Sequence, residues 1–271
     1  MISKAYITEW QQSAPWPDPS MVEQDLVICR ALIDIFNHPV LKENLAFRGG
    51  TALFKLHMPA ARYSEDIDLV QVNAEPIGEL MGSLREVLDP WLGQPTWKQT
   101  QGRVTFRYRF DSEEGVPLCL KVEINTREHF TVYGFQKQNF KVNSRWFSGT
   151  ADILTYELDE LLGTKLRALY QRKKGRDLFD LWYAFNVHRD TPEIDRIIEV
   201  FQKYMIHGGH KTSRALFEKN LFEKRVSTQF TGDIRPLLRT DINWDFDQAF
   251  DSIMETLISR LPGEPWQGRG R

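Results

Sequence analysis

Two aspartates separated by a single residue, Asp66 and Asp68, are the side chains of this sequence best suited to chemistry. They lie in the strand-like stretch DIDLVQV, and side chains two apart on a strand point to the same face, so Ile67 and Leu69 face the core. Two adjacent carboxylates repel each other unless a cation lies between them. Mg²⁺ (or Mn²⁺) prefers such oxygen ligands, together with substrate phosphates. The pair is therefore a candidate metal site, and the alternative is a solvated edge strand.

A glycine pair, Gly49-Gly50, lies upstream between the strand-like LAFR and the helix-like TALFKLH. Glycines at a strand-to-helix turn let backbone N–H groups approach a phosphate closely, and the start of the helix favours negative charge. Thr51 adds a hydroxyl group, and Ser64 is a further candidate for nucleotide contact or a residue that shapes the loop. A glycine pair alone is typical of a tight turn without ligand. Followed by an Asp-x-Asp strand, it predicts a site for a phosphorylated substrate.

The stretches GGTAL and RYSEDIDL resemble the signature of DNA polymerase β-like nucleotidyltransferases, and they are especially similar to the AbiEii family, which includes the MenT toxins. The segment KLRALYQRKKGRDLFDL, residues 165–181, resembles the second conserved block of that family. The family comprises toxins of bacterial toxin–antitoxin and phage abortive-infection systems. The resemblance is close over residues 45–70 and 157–183 and diffuse elsewhere. It implies an Mg²⁺-dependent enzyme that takes a nucleoside triphosphate as substrate.

Glu123 is the candidate for the third acid that the superfamily pattern requires on a neighbouring strand. It lies in LKVEIN, where Lys121, Glu123 and Asn125 alternate with apolar residues, so an outward-facing strand residue is the alternative. The resemblance implies that Glu123 binds the metal or accepts a proton from the attacking hydroxyl. Because this position is often Asp in the superfamily, the longer side chain leaves direct metal contact open.

Lys165 is, by the resemblance, the cation that holds the leaving pyrophosphate. Asp177 and Asp180 share a helix face, and the resemblance implies that one of them, with Asp177 favoured, orients the nucleophile or anchors the nucleotide. Arg176 is a further predicted nucleotide contact, and it belongs to the run RKKGR, a candidate contact for an RNA backbone. The alternatives are a solvated basic helix face and a structural Arg176–Asp177 ion pair.

The secondary-structure patterns change character near residue 150. Ser20 and Glu23 form a predicted capping box for a helix over 20–37, and five strand-like segments and a helix at 76–89 follow. Beyond residue 150 the apolar residues recur with helical period. We therefore expect a two-lobed α+β protein. Residues 1–150 form a polymerase β-like nucleotidyltransferase lobe with a mixed sheet, and residues 151–271 form a mostly helical lobe that completes the active-site cleft.

Composition limits the classes of function. The formal net charge of −2 over 271 residues excludes a basic nucleic-acid coat, so any nucleic acid must be held by a local patch. The sequence lacks a signal-peptide pattern and any apolar run near the roughly 20 residues that span a bilayer. The two cysteines have no metal-binding spacing. We expect a cytoplasmic protein without membrane contact.

The predicted reaction is transfer of a nucleoside monophosphate from a nucleoside triphosphate to an RNA acceptor. The resemblance implies the 3′ end of tRNA as acceptor and a cognate antitoxin as partner. One alternative is a nucleotidyltransferase that modifies a protein or a small molecule. Another is a non-catalytic binding module with a degenerate transferase fold, against which the intact acids argue.

Overall fold

The computed structural model describes residues 2–186 and 192–268. The chain divides into two compact units, Met1–Glu157 and Leu158–Arg271. The sequence analysis places the boundary near residue 150, which lies inside the last strand of the first unit. That strand, Ser148–Tyr156, and the one before it, Phe135–Asn143, were not among the predicted elements.

A seven-stranded mixed sheet forms the centre of the first unit. Its strands are β1 Leu45–Arg48, β2 Asp66–Gln71, β3 Thr96–Thr100, β4 Arg103–Asp111, β5 Pro117–Asn125, β6 Phe135–Asn143 and β7 Ser148–Tyr156. Their order across the sheet is β3-β4-β5-β2-β1-β7-β6. β1 pairs with β7 and β2 pairs with β5 in parallel, and the other neighbours are antiparallel. The predicted mixed sheet is confirmed.

Five helices accompany the sheet among the described residues of the first unit. They are α1 Lys4–Trp10, α2 Pro19–Asn37, α3 Pro39–Asn44, α4 Gly49–Ala52, which continues as a π-helical turn Leu53–His57, and α5 Gly78–Leu92. α2 packs on β5 and β7, and α5 packs on β4. Alternate residues of the central strands are buried, such as Ile67, Phe106 and Val122. The residues between them form a polar sheet face.

The start of α2 differs from the prediction. Asp18 is the N-cap, and its carboxylate accepts a hydrogen bond from the backbone N–H of Ser20 at 2.8 Å. Pro19 occupies the first helical position, where its fixed φ fits and its missing N–H costs nothing. Glu23 instead accepts a hydrogen bond from the backbone N–H of Glu113 at 2.8 Å. The predicted Ser20–Glu23 capping box is therefore wrong, and the helix to Asn37 is confirmed.

Helices joined by loops make up the described residues of the second unit. Its helices are α6 Leu158–Gln171, α7 Gly175–Asn186, α8 Ile194–His207, α9 Arg214–Arg225, α10 Thr228–Gly232 and α11 Phe246–Thr256, with 3₁₀ turns at Arg235–Leu237 and Ile258–Arg260. α6 packs against α7 and α8, and α11 packs against α7. Over residues 2–186 and 192–268, no helix is both long and apolar enough to cross a membrane. The expected mostly helical C-terminal part is confirmed.

Candidate active site

Asp66 and Asp68 project from β2 on the polar sheet face, because Ile67 and Leu69 between and beyond them are buried. β2 lies between β1 and β5 in the sheet. The pairing register sets Glu123 of β5 beside Asp68. The structure therefore brings all three predicted acids to neighbouring positions on one face.

Lys121 of β5 inserts a positive charge among these acids. The register sets it beside Asp66, and its Nζ lies 2.8 Å from Asp66 Oδ2 and 3.7 Å from Glu123 Oε2. Burial disfavours the ammonium form, but the hydrogen bond to Asp66 and the surrounding carboxylates outweigh it and raise the pKa of Lys121. The sequence analysis assigned no role to this lysine. The one sequence feature that could have indicated such a role is that Lys121 lies two residues before Glu123 on the same strand, so both side chains point to the same face.

The carboxyl group of Asp68 is held in an unfavourable environment for its charge. Burial raises its pKa, and the negative charge of Asp66 raises it further, against the opposing effects of Lys121 and Arg48. Arg48 also forms an ion pair with Glu128, in which its Nη1 lies 2.6 Å from Glu128 Oε2. A carboxylate in this situation is stabilised by any additional cation that comes close to it.

The donor set fits a divalent metal ion bound by two aspartates. Mg²⁺ is commonly held by one or two carboxylates together with substrate phosphates, rather than by a cage of protein ligands. Within the described parts of the chain, no group of three or more His, Cys, Asp or Glu side chains is arranged to hold a metal ion. Asp66 and Asp68 supply the two carboxylates. Glu123 pairs with Lys121 and with Arg103 at 3.4 Å, so its direct contact with a metal stays a prediction.

The Gly49-Gly50 turn lies directly against the acids. Gly49 has φ of 84°, and a Cβ there would lie 2.3 Å from Asp68 Oδ2. A Cβ on Gly50 would lie 2.4 Å from Nη2 of the buried Arg62. Both positions therefore need glycine for close approach, and the first also needs it for its left-handed backbone. Because the carboxylate of Asp68 fills the space at Gly49, the turn and the acids form one site.

Thr51 and Ser64 tie this turn to the start of β2. The Thr51 hydroxyl lies 2.5 Å from the backbone oxygen of Asp66 and 2.8 Å from Ser64 Oγ. Thr51 is buried, and its hydroxyl hydrogen-bonds to protein groups. The two residues therefore position the acids, and their predicted contact with a nucleotide stays a prediction.

A buried ionic network supports the helix that follows the turn. Lys55 Nζ lies 2.6 Å from Oδ2 of the buried Asp25 on α2. The indole N–H groups of Trp10 and Trp16 donate to the same carboxylate at 2.9 and 3.0 Å. The sequence analysis did not identify Asp25, Lys55 or Arg62 as supporting residues.

In the second unit, Lys165 is buried between two acids. Its Nζ lies 2.8 Å from Asp180 Oδ2 and 3.3 Å from Asp177 Oδ1. Arg172 adds a two-point contact to Asp177, through Nε at 2.6 Å and Nη2 at 2.8 Å. These contacts join two cations and two carboxylates.

This cluster decides between some of the alternatives for the basic segment. The solvated helix face proposed as an alternative for Lys165 is wrong, because its side chain is only 8% exposed. Arg172, rather than Arg176, is the arginine paired with Asp177. Burial opposes ionisation of Asp177, but Lys165 and Arg172 outweigh it and lower the pKa of that carboxyl group. The predicted catalytic roles of Lys165, Asp177 and Arg176 stay predictions.

Comparisons with known proteins identify the class. Residues 30–252 match the family described as "Nucleotidyl transferase AbiEii toxin, Type IV TA system". The fold is similar to that of MenT4, a nucleotidyltransferase toxin from Mycobacterium tuberculosis H37Rv, with a TM-score of 0.71 and 17% identity over 97% of this chain and 91% of that one. It is also similar to a putative nucleotidyltransferase from H. pylori, with a TM-score of 0.55 and 16% identity over 89% of this chain and 95% of that one. No curated protein matches the sequence.

The fold and the match over most of the chain are those of a nucleotidyltransferase, which confirms the predicted enzyme class. The chain belongs to the AbiEii family of nucleotidyltransferase toxins. The resemblance noted in the sequence is thereby confirmed. Membership in a toxin–antitoxin family implies a nucleoside triphosphate as substrate and an antitoxin as partner.

Proposed function

We propose that this enzyme transfers a nucleoside monophosphate from a nucleoside triphosphate to an RNA acceptor, with the 3′ end of tRNA as the expected target and Mg²⁺ (or Mn²⁺) as cofactor. The observation that carries the proposal is the position of the Asp68 carboxylate, whose Oδ2 lies 2.3 Å from where a Cβ on Gly49 would be. The acids would hold the metal, and the turn would contact the phosphates. Because the two are adjacent, both would act on the same substrate. We expect this reaction to take place in the cytoplasm, where nucleoside triphosphates and RNA are both present.

Asp66 and Asp68 are the residues that would hold the metal. When bound there, a divalent cation neutralises charge on the transferred phosphate and lowers the pKa of a coordinated hydroxyl. The Gly49-Gly50 turn lies against Asp68, and we expect its backbone N–H groups to contact the phosphates. Glu123 lies next to Asp68 in the register, and we expect it to accept the proton of the acceptor hydroxyl.

Lys121 holds the acids together in the free protein. Its ammonium group contacts both Asp66 and Glu123, so it reduces the repulsion between three carboxylates on one face. It also lowers the negative charge that an incoming triphosphate meets. We infer that Lys121 prepares the site for substrate.

The resemblance of residues 165–181 supports roles for Lys165 and Arg176 in binding the triphosphate and for Asp177 in orienting a reactant. Lys165 and Asp177 also form buried ion pairs within the second unit. Loss of activity on their substitution therefore counts as catalytic only where the variant remains folded.

The test is a transfer assay with Mg²⁺, each α-labelled nucleoside triphosphate in turn and total bacterial RNA. We expect wild-type protein to label a tRNA-sized band with at least one nucleotide. Asp66→Ala/Asp68→Ala should lose at least about 100-fold in rate, because a bound metal contributes several kcal/mol and each 1.4 kcal/mol is about tenfold. Asp111→Ala/Asp152→Ala removes two exposed carboxylates from the same sheet and should keep full activity.

Two results would change the proposal. Full transfer by a folded Asp66→Ala/Asp68→Ala protein would refute the role of the acids. Label appearing in protein or in a small molecule, with none in RNA, would keep the nucleotidyltransferase and replace its acceptor.

A further inference from the structure

The polar sheet face continues from the acids across three more strands. Beside β2 lie β5, β4 and the edge strand β3, and the register aligns Asp68 with Glu123, Glu123 with Thr105, and Thr105 with Lys98. These strands form a groove of about 340 Å³. Its charged lining consists of Lys98, Arg103, Arg107, Lys121 and Glu123. Four cations and one carboxylate make this groove positive in a chain whose net charge is −2.

The charges of this groove are available to a ligand. Lys98 and Arg107 are exposed, and their side chains form no hydrogen bond or ion pair with any other residue in the described parts of the chain. Arg103 has a side chain that is 55% exposed and contacts Glu123 at 3.4 Å. Hydroxyl groups of Thr96, Thr100 and Thr105 lie in the same lining. Guanidinium, ammonium and hydroxyl groups together are the usual protein partners of phosphate oxygens.

The groove and the glycine turn lie on opposite flanks of the acids. The Gly49-Gly50 turn follows β1, which borders β2 on one side, and β5, β4 and β3 border it on the other. In nucleotidyl transfer the attacking and leaving oxygens are in line, on opposite sides of the phosphorus. If the leaving phosphates lie at the glycine turn, the attacking hydroxyl enters from the side of the groove.

We propose that this groove, lined by Lys98, Arg103, Arg107 and the three threonines, binds the phosphate backbone of a single-stranded RNA and delivers its 3′ end to Asp66 and Asp68. This inference rests on the proposed function, and it adds where and how the acceptor binds. Three strand spacings of about 4.8 Å separate β2 from β3, which gives a track of about 14 Å. A stacked strand carries one charge per about 3.4 Å of its axis, so a track of this length spans about four nucleotides.

Binding is measured by fluorescence anisotropy with a labelled eight-nucleotide RNA of mixed sequence, from about 50 to 200 mM salt. The groove variant is Lys98→Gln/Arg107→Gln. Its matched control is Lys137→Gln/Lys141→Gln, which removes two exposed lysines from β6, the opposite edge strand of the same sheet. Mg²⁺-dependent binding of a nucleoside triphosphate is measured on every protein by calorimetry.

We expect the groove variant to bind RNA at least about tenfold more weakly than the control variant. The slope of log K against log salt should become less negative by about 1.4. The variant loses two phosphate contacts, and each contact to a single strand contributes about 0.7 to the slope. Nucleotide binding should be unchanged, since neither substitution touches the acids or the glycine turn. Transfer to RNA should decline through a raised KM for RNA at similar kcat.

Equal weakening by the groove and control pairs would overturn the proposal, since it would show attraction by overall charge alone. Tighter binding of an acidic peptide than of the RNA would also overturn it, in favour of a protein partner at this face. Either result with intact nucleotide binding leaves the proposed function standing. Absence of nucleotide binding in the wild-type protein, by contrast, is a failure of the proposed function itself.

Discussion

At Asp68, the proposed metal-binding role and folding stability oppose each other. Burial and the adjacent Asp66 raise the pKa of this carboxyl group, so its ionised form is less favourable in the folded protein than in the unfolded chain. The contribution of protonated Asp68 to stability is complete below its ordinary value of 3.8 and is lost as pH rises through the folded pKa. At any pH above the folded pKa, the metal-free protein therefore holds a charge that favours unfolding.

Replacing Asp68 with Asn should therefore stabilise the metal-free protein while it inactivates the enzyme. At pH 7.5 we expect Tm to rise by about 2 °C, which corresponds to about 0.5–1 kcal/mol in a protein of this size. The gain should be smaller at pH 4, where a larger fraction of wild-type Asp68 is protonated than at pH 7.5. Thermal unfolding of both proteins at the two pH values checks this, with Asp111→Asn on an exposed part of β4 as control. A lower Tm for Asp68→Asn at pH 7.5 would contradict it.

The residues found from sequence are those whose chemistry depends on local spacing. Each of the pairs Asp66 with Asp68 and Gly49 with Gly50 can be recognised from two residues that are close in sequence. Lys121 does not, because it meets Asp66 across 55 positions of sequence and only through the register of β2 with β5. A lysine that alternates with a glutamate on a strand is ordinary until the neighbouring strand is known.

At the scale of elements, the β1–α4 turn and β2 depend on one another. The turn places Gly49 in the left-handed region, and β2 presents the Asp68 carboxylate into the space beside it. The Thr51 hydroxyl links the turn to β2 by donating a hydrogen bond to the backbone oxygen of Asp66. A side chain at the turn would have to displace either the acid or the backbone.

Gly49→Ala should disrupt both stability and activity. We expect it to destabilise the protein by about 1–3 kcal/mol, the usual cost of a strained backbone conformation, and to reduce transfer strongly by shifting Asp68. Gly82→Ala is the control, because a Cβ at that position in the interior of α5 meets nothing within 4 Å. It should stabilise the helix by about 0.5–1 kcal/mol. Urea unfolding and the transfer assay compare them, and a Gly49→Ala protein as stable and active as wild type would refute the argument.

Sequence patterns predicted elements with a clear apolar period and missed those without one. The helix ending at Asn37 and the hairpin around Gly102 follow from period and turn chemistry. Strand β6 was missed because its sequence FQKQNFKVN buries only Val142. β7 pairs in parallel with β1, about 100 positions earlier, and no local pattern encodes that pairing. The boundary near residue 150 was drawn through β7 for the same reason.

At the scale of the whole molecule, two acids, Asp68 in the first unit and Asp177 in the second, respond to falling pH in opposite directions. In the second unit, Lys165 and Arg172 lower the pKa of Asp177 against the effect of burial. The stabilisation from its ionised form is therefore complete above the ordinary value of 3.8 and is lost as pH falls through the folded pKa. Protonation of Asp68 in the first unit acts with the opposite sign. As the pH falls, protonation of Asp68 removes a destabilising contribution from the first unit at its raised pKa, and protonation of Asp177 removes a stabilising contribution from the second unit below 3.8.

We therefore expect α6 and α7 to lose hydrogen-exchange protection before β2 and β5 as the pH falls from 5 to 3. Mass spectrometry of peptides from each element, corrected for intrinsic exchange rates, measures this unit by unit. An Asp177→Asn protein should start with lower protection in α6 and α7, because Lys165 keeps one buried partner instead of two, and should change less with pH. Breaking a buried ion pair typically costs about 3–5 kcal/mol, so the wild-type change should be well above detection. The expected order depends on the protonation of Asp177. Earlier loss of protection in β2 and β5 would therefore show that Asp177 does not control the acid response.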